Sequence, residues 1–147
     1  MSANTSPVFP LTPIAPTTSL AAVTACSTRA PTASAGLAAA NIVALVASQT
    51  NGCKIDRIHI NACSSSITAP TVAQTVLIWL FDATTAWVID EILVTAVTPS
   101  TTAAAFSVEK TYSNLVIPTG YSLYVSTTVT TTASTTALQV TAFGGAF

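Results

Sequence analysis

The clearest alternation in the chain runs through residues 53–62, where Ile58, Ile60 and Ala62 fall on one side and Arg57, His59 and Asn61 on the other. A period of two marks a strand with one buried and one solvated face. The Asn51-Gly52 pair just before it is a turn signal. Residues 72–81 read differently. There Val76, Ile78 and Leu80 alternate with Leu77, Trp79 and Phe81, so both faces are apolar and both need cover. After a hairpin loop over 82–86, residues 87–97 are again apolar on both sides, with Ile89, Leu93 and Val97 opposite Val88, Ile92 and Val94. These two segments are expected to pair at the centre of a sheet, with Trp79 or Phe81 meeting Trp87 or Ile89 across the pair.

Downstream, the pattern predicts a strand over 104–111 with Phe106 and Val108 inward, and a short one over 115–117 that ends at Pro118. A turn at Thr119-Gly120 leads into a strand over 121–129. There Tyr121, Leu123, Val125 and Val129 alternate with Ser122, Tyr124, Ser126 and Thr128. Residues 130–136 form a Thr/Ser loop, and Leu138, Val140 and Ala142 mark the last strand. Upstream, Ala and Leu over 36–47 would tolerate a helix, but a loop followed by a strand over about 41–49 is the preferred reading. The 27 threonines favour strands over helices. About eight strands with turn signals at roughly 8–12-residue spacing predict an all-β fold, an antiparallel β-sandwich or jelly roll.

The first 25 residues have another character. Pro7, Pro10, Pro13 and Pro16 recur every third position, with Val8, Phe9, Leu11 and Ile14 between them. Proline fixes φ and removes a donor, which predicts an extended segment. Residues 1–25 are therefore assigned to an extended N-terminal arm and 26–147 to a single β-sandwich domain. Val8, Phe9, Leu11 and Ile14 are the candidate anchors onto a partner. Removal of residues 1–20 is expected to leave the sandwich folded.

Charge changes the picture most. Only 6% of the residues are charged, where a soluble domain has about 25%. All nine charged side chains lie between Arg29 and Lys110. A free monomer keeps itself dissolved with mixed surface charge; a chain without it suits a surface covered by other subunits. Four basic side chains give nucleic acid little to bind, so no nucleic-acid partner is expected. No apolar run reaches the roughly 18 residues of a membrane helix, and the stretch MSANTSPVFPLTPIAP has no positive n-region, so neither a membrane partner nor a secretory signal is expected. The Asn4-Thr5-Ser6 sequon is read as chance.

The catalytic vocabulary is thin. His59 is the single histidine and sits on the polar side of its strand. Among the carboxylates Asp56, Asp82, Asp90, Glu91 and Glu109, neighbours Asp90 and Glu91 point to opposite faces, Asp82 is a turn residue, and Glu109-Lys110 reads as an exposed strand end. Cys26, Cys53 and Cys63 are odd in number and show no CxxC spacing. They are read as small buried thiols, with Cys53 and Cys63 too far apart along one strand to pair. No catalytic residue, cofactor site or metal site is assigned, and the chain is not expected to be an enzyme.

The runs VLIWLFDATTAWVIDEILVTAVTPS and NLVIPTGYSLYVST, within residues 76–147, resemble the central hairpin and a late turn-and-strand of small β-sandwich virion proteins of tailed bacteriophages. That resemblance implies a capsid decoration or cement protein that bridges major capsid proteins, often as a dimer or trimer, in virions assembled in the host cytoplasm. The alternatives are a tail, neck or fibre-base component and a carbohydrate-binding adhesin module with Tyr112, Tyr121 or Tyr124 as stacking platforms.

Overall fold

Ten strands are present among the residues that the structure, a computed structural model, describes: residue 10, residues 12–33 and residues 41–147. They are β1 (Thr12–Ile14), β2 (Thr17–Leu20), β3 (Thr32–Ala33), β4 (Val43–Val46), β5 (Cys53–Ala62), β6 (Gln74–Phe81), β7 (Thr85–Val94), β8 (Ser107–Ile117), β9 (Ser122–Thr127) and β10 (Leu138–Ala146). The first sheet has the order β1-β10-β5-β8, with β2 also on β10; the second has β3-β7-β6-β9-β4. Every pairing is antiparallel.

Four of those pairings are nested in sequence. β6 pairs with β7, β5 with β8, β4 with β9, and β1 and β2 with β10. The chain is thus one long antiparallel ribbon whose tip is the turn at 82–84. The two remaining main pairings, β10 with β5 and β9 with β6, roll that ribbon into two sheets. This nesting is jelly-roll topology, and the all-β sandwich expected from the alternation is what forms.

The core lies between the sheets. Ile55, Ile58 and Ile60 of β5, Val76 and Ile78 of β6, Leu123 and Val125 of β9, and Leu138, Val140 and Ala142 of β10 are all buried there. Ile55 and Ile58 are three apart, a spacing a regular strand would send to opposite faces. The register against β10 resolves it: Gly144 pairs with Ile55 and Phe143 with Arg57, so Asp56 is an extra residue. This β-bulge restores the phase and brings Ile55 inward. It also brings the backbones close. A Cβ on Gly144 would overlap the Lys54 carbonyl oxygen, so this position admits only glycine.

A second bulge corrects the expected pairing of the central hairpin. Ile78 pairs with Asp90 but Trp79 with Val88, so Ile89 is the extra residue in β7. Phe81 meets Ala86, and neither Trp79 nor Phe81 faces Trp87 or Ile89. Val88 consequently joins Trp79 on the outer face, while Ile92 and Val94 reach the core. The turn is also tighter than expected, because β7 begins at Thr85. β6 is central, between β7 and β9. β7, however, lies next to the edge, where β3 covers only Thr85 and Ala86.

Three other segments differ from the sequence reading. Residues 107–117 form one strand, not two; between Arg57–Thr111 and Ile55–Leu115 the register skips two extra residues of β8. The last strand runs on to Ala146. Residues 12–20, placed in the arm, are the edge strand of the first sheet, broken at Ala15-Pro16. Leu20 is fully buried in the core, so removing residues 1–20 would strip a structural strand. Pro13 and Pro16 are tolerated there because an edge strand needs no donor on its free side.

The outer face of β6 is covered as its composition demanded. The connection that follows β2 crosses it, tied down by Cys26 N donating to Thr127 O at 2.7 Å and by Val23 N donating to Thr131 Oγ1 at 3.1 Å. Cys26 and Ile42 close over Leu77, Trp79 and Phe81. The fully buried Trp79 donates from Nε1 to Ser126 Oγ at 2.8 Å, which satisfies its one polar atom.

Two backbone positions yield a prediction. Ala83, at the ribbon tip, has φ of 75°, a conformation glycine adopts at lower cost. Ala83→Gly should raise stability by about 0.5–1 kcal/mol, and Gly144→Ala should lower it by more than about 2 kcal/mol. Urea unfolding of the two variants beside the parent checks both signs.

Candidate functional site

The side chains able to do chemistry fall into three groups. The first is on the outer face of β5 and β8. His59 Nε2 and Ser107 Oγ are 2.8 Å apart, and Glu109 stands opposite His59 in the register. Sequence spacing could not show this group, because Ser107 reaches His59 only across the strand pair. It is not a hydrolytic triad. The Glu109 carboxylate faces Arg57 at 3.6 Å. A triad needs that carboxylate on the imidazole and amide donors for an oxyanion. β5 lies between β10 and β8, so its amides are engaged in sheet pairing.

The second group spans the open side of the sandwich, where the ends of the two sheets face each other. Asp90 of β7 accepts from Lys110 Nζ at 2.5 Å and from the Tyr112 hydroxyl at 2.7 Å, both on β8, and from the Glu91 amide at 2.8 Å. Burial pushes the Asp90 carboxyl up. The bonds from Lys110, Tyr112 and the Glu91 amide outweigh it and hold the group below the usual carboxylate range. Burial, and then the bond to the Asp90 carboxylate, push the Tyr112 phenol up. The cluster is a clasp between sheets, and Lys110 is part of it and not an exposed strand end. Glu91 points the other way and takes two donors from Arg29 on the covering connection.

The third group is the turn carboxylate. Asp82 Oδ1 accepts from the Thr84 hydroxyl and from the amides of Thr84 and Thr85, bonds that lower its pKa. Burial pushes the Cys53 thiol up, which keeps it protonated and unreactive at neutral pH. Cys26 is buried as well, and Cys63 is half-buried.

With those groups placed, the ionic map is simple. Arg29 pairs with Glu91, Lys54 with Asp56, Arg57 with Glu109 and Lys110 with Asp90. Asp82, the ninth charge, is held by its turn. Arg57 also lies over the Phe143 ring, 4.5 Å from its centroid. The charges sit on β5, β7, β8, the tip and the connection. β1, β2 and β10 in one sheet and β4 and β9 in the other carry none. These strands are neighbours: β10 bears β1 and β2, β9 bears β4, and β2 and β4 lie against each other across the sandwich. Apart from the 111–117 half of β8, the described strands of the two charge-free stretches thus gather into one flank of the fold, and β4, from the middle of the chain, completes it.

Of the proposed anchors, Ile14 is half-buried against the chain's own core. Val8, Phe9 and Leu11 lie outside the described residues. The three tyrosines are all half-buried. Tyr112 is bonded to Asp90, Tyr124 meets Phe81 edge-on at 5.3 Å, and Tyr121 packs on the core. A broad, uncharged cleft of about 560 Å³ lies between the 63–73 and 95–106 connections, lined by Ser64, Ser66, Ile67, Thr101 and Ala104 among others. Among the described residues, no three His, Cys, Asp or Glu side chains converge as metal ligands would. Comparison with protein-family models, with curated proteins and with solved structures finds no match to this chain.

The clasp has a pH signature. The folded pKa of Asp90 lies below its unfolded value of about 4, so its contribution is present above that value and is lost as pH falls through the folded pKa. Asp82 and Glu91 shift in the same direction. Stability should therefore drop as pH goes below about 4. Asp90→Asn should cost about 1–2 kcal/mol at pH 7 and flatten that acid limb. Thermal melts of parent and variant between pH 7 and pH 2.5 test the sign.

Proposed function

We propose that the chain is a structural virion subunit that decorates or cements a capsid, bridging major capsid proteins and copies of itself through the charge-free flank. The observation that carries this reading is the segregation of charge: five strands from three parts of the sequence meet on one side of the sandwich without an ion among them. Burying a charge without a partner costs several kcal/mol, whereas hydroxyls and small apolar groups are readily accommodated. A flank of Thr, Ser, Ala and Val is suited to permanent contact. The charges that exist are spent on one another, which leaves little field to steer nucleic acid or an ionic substrate.

The resemblance of residues 76–147 to phage virion sandwiches supports the same reading, as does the fold, since jelly rolls recur in capsid proteins, though also in lectins and enzymes. The engagement of Tyr112, Tyr121 and Tyr124 in packing favours assembly over a stacking platform for sugars. In this role no catalytic step, cofactor or metal is required. Affinity comes from many weak contacts acting together on one particle.

The flank can be tested by charging it. Thr12 on β1 and Ala44 on β4 are exposed; Thr111, exposed on β8, lies on the charged side. Thr12→Glu and Ala44→Glu should each weaken self-association and particle binding at least about tenfold, with Thr111→Glu unchanged. Sedimentation of the purified chain and co-sedimentation with capsids read the two effects. Equal binding by all three variants would overturn the reading. A copy number in the hundreds per particle points to the shell, and six or twelve to a tail or neck. Removing residues 1–9, which leaves β1 and β2 intact, isolates the contribution of Val8 and Phe9.

A further inference from the structure

The interior of the sandwich contains two polar side chains that the assembly role does not use. Gln74 begins β6 and is 5% exposed; Thr127 ends β9 and is fully buried. Neither the amide oxygen nor the amide nitrogen of Gln74, nor the hydroxyl of Thr127, has a hydrogen-bond partner among the described residues.

Both side chains face the core. The register of β6 is regular from Gln74 to Ile78, so Gln74 shares the inward face of Val76 and Ile78. Thr127 pairs with Val76, and Val125, two residues earlier, pairs with Ile78 in the core. Gln74 and Thr127 are therefore diagonal neighbours on adjacent strands, a relation that puts Cα atoms about 7–8 Å apart, within reach of a long side chain. Val94 stands opposite Gln74 on β7, also in the core.

We propose that Gln74 and Thr127 form a binding site for an ordered internal water between the sheets. A direct bond between the two side chains would pair only one end of the amide and leave the other orphaned. A water between them serves all three atoms. It donates to Gln74 Oε1 and Thr127 Oγ1 and accepts from Gln74 Nε2, which is the roughly three-bond environment typical of buried water. Leaving a buried polar group orphaned is costly, so an apolar pair would be the simpler choice for a core. The Thr127 carbonyl also holds the amide of Cys26 on the covering connection, so the backbone at this end of β9 is fixed.

The test is a double-mutant cycle in the full chain, with Gln74→Leu and Thr127→Val. Each single replacement strands the remaining polar group and should lower the melting temperature by about 3 °C or more. The double variant removes the whole site and should recover to the parent value or above. Additive losses overturn the proposal. Water–protein cross-relaxation measured by NMR on the parent gives the second readout. The Gln74 side-chain amide protons should show contacts to a long-lived water. If coupling is found without such contacts, a direct Gln74–Thr127 bond has replaced the water, and the proposal also fails.

Discussion

The fold is organised by the need to bury β6 on both faces. A strand with Val76, Ile78 and Leu80 on one side and Leu77, Trp79 and Phe81 on the other cannot be left against solvent. One face is buried by the opposing sheet, in the usual way of a sandwich. The other has no second sheet, so the chain must supply a cover from its own length. It does so with the connection after β2, which has few side chains large enough to interfere and is pinned to the backbone of β9 and to Thr131. Trp79 shows the cost of the arrangement being wrong. Its indole is completely enclosed, and only Ser126 keeps its N–H from being orphaned. The same connection carries Arg29 to Glu91, so the outer ion pair follows from the covering of the tryptophan.

The strands and their order were legible in the sequence to different degrees, for physical reasons. Alternation identified β5, β6, β9 and β10, because one-sided or two-sided burial leaves a period-two trace in side-chain polarity. It misplaced β7 and part of β8, because a bulge adds a residue without leaving a polarity signal of its own. Asp56 in β5 could have been suspected from the odd spacing of Ile55 and Ile58. Ile89 in β7 gave no such warning, since an apolar residue at a bulge reads as one more core position. It is instead exposed. The nested pairing that defines the roll is long-range, and no local pattern encodes which strand meets which.

The candidate site was legible only as a composition. That the ends of the chain lack charge is plain from the sequence, and it predicted where charge would be missing. It did not predict that β10 would lie between β5 and the β1–β2 edge, or that β9 would carry β4. Those pairings turn two separate deserts into one surface. The clasp was missed for the same reason. Asp90, Lys110 and Tyr112 are on two strands of different sheets, and only closure of the roll brings them within hydrogen-bond distance.

The edges of the sheets are built to resist extension by another strand. An open edge strand is a template for another chain, and each edge here is spoiled. Pro13 and Pro16 interrupt the β1–β2 edge, β4 is four residues long with a register shift between Ala44 and Val46, β8 carries Glu109, Lys110 and an irregular register, and the β7 side is bulged at Ile89 with Asp90 and Glu91 beside it. Proline, short length, bulges and charge are four of the means by which sheets resist unwanted pairing. Unprotected edges invite pairing that can propagate from molecule to molecule without closing. The charge-free flank lies along the β1–β2 and β4 edges, so proline and short length take the place of charge there, whereas on the opposite side the charged strands, paired among themselves, protect the edges and suit water.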